Sequence, residues 1–132
     1  MPTSFQNGID GAPSDENRTE FYSAAKTLVA ADTGKTFKTS GGTIIFTLPA
    51  TAVGLVYTFL YTGVNGGGTI QVSPVAADGI AAVGSAVINK DLILAAATIK
   101  RGDYVTINSG VGATGVTAWF MTAQRGIVTK EA

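Results

Sequence analysis

From about residue 35 onwards, apolar and polar side chains alternate in short runs, each broken by glycine, proline, asparagine or aspartate. A period of two sends successive side chains to opposite faces, as in a half-buried strand. Thr27–Pro49 shows the pattern most fully. Leu28 and Val29 precede a turn at Asp32-Thr33-Gly34, a polar strand spans Lys35 to Thr39, and Gly41-Gly42 turns the chain again. Ile44, Phe46 and Leu48 then alternate with Thr43, Ile45 and Thr47 until Pro49 stops the run. This grammar predicts a β-hairpin. In 55–62, Leu55, Tyr57, Phe59 and Tyr61 share one face, so this aromatic strand is expected at the centre of the core.

Further strands are expected at Thr69–Ser73, Ile80–Val83, Ala86–Ile88, Leu92–Lys100, Asp103–Asn108, Val116–Ala123 and Ile127–Thr129. Glu20–Ala31 fits a short helical face through Phe21, Ala24, Ala25 and Leu28, and fits a strand equally well; the reading taken is a short strand at Lys26–Val29. Strands at a spacing of about ten residues, with turn residues between them and no convincing helix, predict an all-β fold. The expected architecture is a single β-sandwich or barrel, jelly-roll-like, over residues 21–132. Residues 1–20 are expected to form an extended N-terminal arm, because Pro2, Gly8, Gly11 and Pro13 interrupt any period.

Composition changes this picture in one respect. Charged residues make up only 14% of the 132, against roughly 25% in an average soluble domain. Gly, Ala, Thr and Val fill the gap, and 116–123 looks apolar on both faces, which points to surface covered by companion subunits. Net charge is zero but unevenly placed: residues 1–20 carry Asp10, Asp15, Glu16 and Glu20 against Arg18 alone, and the rest is correspondingly basic. An arm of this kind has Phe5 and Ile9 as apolar anchors, and the candidate partner-binding residues are Phe5, Ile9, Asp10, Asp15, Glu16 and Phe21.

Candidate chemistry is sparse. The chain contains no cysteine and no histidine, so thiolate or imidazole ligands, a Cys–His pair and a Ser-His-Asp triad are all excluded. Gly110-Val111-Gly112-Ala113-Thr114-Gly115 matches G-x-G-x-x-G, but strand-like residues follow where a phosphate site needs a helix N-terminus. Gly34-Lys35-Thr36 resembles a P-loop end, yet Val29 stands where its first glycine belongs. Asn17-Arg18-Thr19 fits a glycosylation sequon, without a secretory signal ahead of it. Asp32, Asp78, Asp91 and Asp103 occupy turn positions, where aspartate bonds nearby amides, rather than forming an acid/base pair. Tyr57, Phe59, Tyr61, Trp119 and Phe120 read as core or interface more readily than as a sugar platform. Lys100-Arg101 is too small a basic spot for nucleic acid. No catalytic, cofactor-binding or metal-binding residue is expected, and no stretch is apolar enough to read as a membrane helix.

Leu28, Ala30-Ala31-Asp32-Thr33-Gly34-Lys35-Thr36-Phe37, then Phe46-Thr47-Leu48-Pro49, then Gly54-Leu55 and Tyr57-Thr58-Phe59 resemble a pattern found in small structural proteins of tailed bacteriophages. The pattern is similar to that of head decoration (cement) proteins and of tail or fibre modules. It implies a β-rich virion component that is not an enzyme, made in the bacterial host cytoplasm. Its expected partners are the major capsid protein and copies of itself, as a trimer or a dimer, with no cofactor, nucleic acid or membrane. The alternative is a tail or fibre module that binds host polysaccharide through loops 63–68 and 109–115.

Overall fold

A computed structural model of the chain describes residues 18–132. Among these residues eleven strands form two mixed sheets. They are β1 (Thr19–Phe21), β2 (Lys26–Thr27), β3 (Thr36–Thr39), β4 (Gly42–Thr47), β5 (Val56–Tyr61), β6 (Gly68–Ser73), β7 (Ile80–Ala81), β8 (Leu92–Leu94), β9 (Tyr104–Ser109), β10 (Trp119–Arg125) and β11 (Thr129–Lys130). One sheet has the order β1-β3-β5-β9-β10-β7, and the other β11-β8-β6-β4-β2. Among the described residues the one named helical element is a 3-10 turn, Ala30–Asp32.

The first six strands alternate between the sheets. Each lap of the chain lays a strand parallel to the one a lap earlier: β1 on β3 on β5 in one sheet, and β2 on β4 on β6 in the other. The register stacks like upon like, with Phe37 beside Phe59 and Ile44 beside Ile70. Later strands are added mostly antiparallel, β9 on β5, β10 on β9, β8 on β6 and β11 on β8, while β7 runs parallel to β10.

The expected hairpin does not form. Its two strands exist, but Gly41-Gly42 carries the chain across to the other sheet, so β3 and β4 face one another and do not pair. Both strands bury alternate residues, and the two buried faces meet across the core, with the Phe37 and Phe46 rings 5.6 Å apart. A two-glycine link is compatible with a paired return or with a corner; the choice falls to the residues that stack on each strand later. Jelly-roll connectivity is antiparallel, so the parallel laps also replace the jelly-roll-like connection expected.

Other boundaries shift for local reasons. Leu92–Lys100 yields only the three-residue β8, because Ala95 starts a turn in which its carbonyl accepts from Thr98 and Ile99. Ala86–Ile88 contributes a single bridge, Ile88 to Gly79. Val116 and Thr117 stay in a loop, and β10 runs on to Arg125 across a bulge between Met121 and Ala123. Of the apolar residues there, Ala118 and Trp119 are buried within the chain, Met121 is half-buried and Phe120 is partly exposed. Thr19 and Glu20, assigned to the arm, are paired in β1.

One core lies between the sheets. Phe37, Phe46, Tyr57, Phe59, Tyr61 and Trp119 are fully buried, with Phe46 and Phe59 centred 4.9 Å apart and Tyr57 and Trp119 5.9 Å apart. Burying each such side chain stabilises the fold by about 1.5–3 kcal/mol. The two seams between the sheets are closed differently. Tyr22 packs on Phe37 and Phe46 along one seam, while on the other Lys130 Nζ donates to the Ile80 carbonyl at 2.6 Å.

Candidate interaction surface

The strand directions bring four loop segments to one end of the molecule: 49–55 ahead of β5, 74–79 ahead of β7, 110–118 between β9 and β10, and 87–89, where the chain returns beside Gly79. These loops contain one ionisable side chain, Asp78, and it is 1% exposed. Its Oδ2 accepts from the Thr51 N–H at 3.3 Å; its Oδ1 accepts from the Gly115 N–H at 3.2 Å and from the Thr114 hydroxyl. The Asp78 carbonyl accepts from the Asn89 N–H at 2.9 Å. Gly79 N–H donates to the Gly115 carbonyl at 2.8 Å, and the Thr51 hydroxyl donates to the Ala118 carbonyl at 3.0 Å. A buried carboxylate needs such donors to offset its lost hydration. Here they are recruited from several loops at once, and the loops are fixed by it.

What this wiring displays is apolar. Val111 is 86% exposed and Val53 76%, with Val87, Ile88, Val116 and Phe120 also uncovered. They are neighbours in space. A Cβ at Gly112 would stand 3.0 Å from the Val53 side chain, and one at Gly110 would stand 3.0 Å from the Phe120 ring. At Gly79 an added Cβ would meet the Val87 and Val116 carbonyls at 2.8 and 2.9 Å, so glycine is what lets those two loops close in. Charged groups flank this centre. Arg18, Glu20, Asp32 and Lys35 lie on the β1–β3 side, and Lys90, Asp91, Lys130 and Glu131 lie on the β8–β11 side. An apolar centre with a polar rim is the anatomy of a protein interface.

The β1 corner is an ion-pair cluster. Lys35 Nζ lies 2.7 Å from Glu20 and 3.0 Å from Asp32, and the Tyr22 hydroxyl also donates to Glu20. The bond from Lys35, then that from Tyr22, holds the Glu20 carboxyl below its ordinary range. Burial opposes the Asp32 charge, but the Val29 N–H and Lys35 outweigh it and lower that carboxyl too. The same partners raise Lys35 above the usual lysine value. Burial, with the Asp32 charge adding to it, pushes Tyr57 up to about 12, and its hydroxyl donates to the Val29 carbonyl at 2.9 Å. These groups satisfy one another and anchor β1. Among the described residues no three His, Cys, Asp or Glu side chains gather to hold a metal ion.

Of the candidate partner-binding residues, Phe5, Ile9, Asp10, Asp15 and Glu16 lie outside the described residues. Phe21 is 57% exposed at the end of β1 away from the valine-bearing loops, so it is not part of that surface. The glycines 110–115 form one of the four loops, and no helix follows them. Loop 63–68 lies at the opposite end of the molecule, so the two loops expected to share sugar recognition are apart. Lys100-Arg101 is held as a turn: Lys100 N–H donates to Asp103 at 2.9 Å, and Arg101 Nε to the Gly63 carbonyl at 3.0 Å. Tyr57, Phe59, Tyr61 and Trp119 are buried and offer no stacking platform.

Sequence reasoning missed the Asp78 hub and the exposed valines. The signal available was the lack of charge in four separated loops, which matters only once the fold brings them together. No family model, curated protein or solved structure matches this chain.

Proposed function

We propose that this chain is a bacteriophage capsid decoration protein. In this reading the two sheets form a β-sandwich, and a homo-oligomer, a trimer before a dimer, sits on the outer surface of the assembled head in contact with the major capsid protein. The observation that carries it is the rigid, uncharged end bearing Val53, Val111 and Val116, which suits a subunit that completes its burial against companions. The resemblance of residues 28–59 to phage structural proteins supplies the setting.

The mechanism is linkage. A subunit that binds only the assembled shell stabilises that state according to its affinity and occupancy. Contacts repeated by symmetry add avidity. Electron microscopy of phage particles that carry this chain is the test, with density for it expected on the head exterior at capsomer junctions. Density confined to the tail or fibres, together with binding on a glycan array, would replace this reading with host-polysaccharide recognition.

A further inference from the structure

We propose that in the free chain the uncharged loop end is a docking site for residues 1–17 of the same chain, with Phe5 and Ile9 seated among Val53, Val111 and Phe120. The inference concerns the isolated subunit and stands independently of the capsid reading.

The described chain begins at the right place. Arg18 precedes β1, whose N-terminal end lies beside the start of β3 and β5. Its guanidinium reaches within 2.7 Å of where a Cβ on Gly34 would stand, and the Gly34 N–H donates to the Val56 carbonyl at 2.7 Å. The first described residue, Arg18, therefore stands next to the loop that carries Val53.

The span is sufficient. Neighbouring strands lie about 4.8 Å apart, so β10, four places along the sheet from β1, is about 19 Å away. Ile9 is nine residues from Arg18, a reach of about 30 Å when extended, and Phe5 reaches further. A tether of this length holds its anchors at an effective concentration in the millimolar range. Free copies reach that concentration only in very concentrated solution.

The chemistry is compatible. Apart from Met1, Phe5 and Ile9 are the large apolar side chains of a stretch otherwise made of small, polar and acidic residues. The loop end exposes apolar groups and no carboxylate, because Asp78 is buried and hydrogen-bonded. Asp10, Asp15 and Glu16 are thus not repelled as the segment crosses it, and Arg18 flanks the path.

The chain has no cysteine, so paired cysteines report the contact cleanly. Full-length Ile9→Cys/Val111→Cys and the control Ile9→Cys/Ile127→Cys, with Ile127 exposed at the far end, are oxidised at micromolar concentration. The expected result is an intrachain disulfide that forms at least tenfold faster in the Val111 pair, with monomeric mass. In the full-length Phe5→Ser/Ile9→Ser chain, amides 110–117 should exchange several-fold faster while those of β5 are unchanged. Equal oxidation rates in the two pairs, products linked only between chains, or unchanged exchange in the serine variant would each overturn the proposal.

Discussion

Asp78 at the loop end and Asp103 at the far end each fix loops from a buried position, yet the surfaces that they support differ. Asp32, also buried, serves the β1 corner. At the loop end Asp78 gathers Thr51, Thr114 and Gly115, and the exterior is uncharged and apolar. At the far end Asp103 accepts from the Lys100 N–H and lies directly against Gly126, and the exterior carries Lys100, Arg101 and Arg125 alongside Val64 and Ile127. The shared device fixes loops. It does not decide what the loops display, so the displayed residues are the place to look for function.

The comparison breaks first at the aspartates. Asp78→Ala strands a hydroxyl and two amides that it served, and should cost about 3 kcal/mol, against about 1–2 kcal/mol for Asp103→Ala with its single amide partner. Denaturant unfolding of both variants checks the order, and equal losses would mean the two ends are not differently wired.

Next come the glycines. Gly126→Ala puts a Cβ 2.4 Å from the Asp103 carboxyl at φ +102, and Gly79→Ala drives one into two backbone oxygens. Each should cost about 1–3 kcal/mol. Pairing with Asp103→Ala should recover part of the Gly126→Ala loss, whereas nothing at the loop end relieves Gly79→Ala.

Val53→Asp with Val111→Asp should change stability by only about 0.5 kcal/mol, being exposed, while removing attachment to heads in a sedimentation assay. Ile127→Asp, also at an exposed position but at the other end, should leave attachment intact.

The smallest effect is at the β1 corner. Glu20 and Asp32 are held below their ordinary values of 4.5 and 3.8. Their contribution is complete above those values and is lost as pH falls through the depressed ones. Lys35→Met should therefore lose this small contribution at pH 7 and make the fall in stability below about pH 4.5 shallower. Variant and parent should converge in acid, read by denaturant unfolding followed by circular dichroism at several pH values.

Strand positions were legible in the sequence because alternation is local. Phe46 and Phe59 announce their burial by their neighbours. Pairing partners were not legible, since Gly41-Gly42 reads alike as a return or as a corner, and the deciding contacts, Ile44 with Ile70 and Phe37 with Phe59, lie a whole lap away. The candidate site was hidden for the same reason. Asp78 looks like any turn aspartate, and its partners stand 27 to 37 residues from it in sequence. Low charge was visible throughout, but its concentration at one end is a product of topology.

The alternation of the first six strands bears on how the protein acquires its shape. No strand among them can pair with the one made immediately before it, so every early ladder waits for the chain to close a long loop, and topologies rich in such distant pairings fold slowly. The nearest thing to a local nucleus is the antiparallel pair β9–β10, which a ribosome releases only after the first six strands. Those six strands must therefore be kept from aggregating until β9 and β10 emerge.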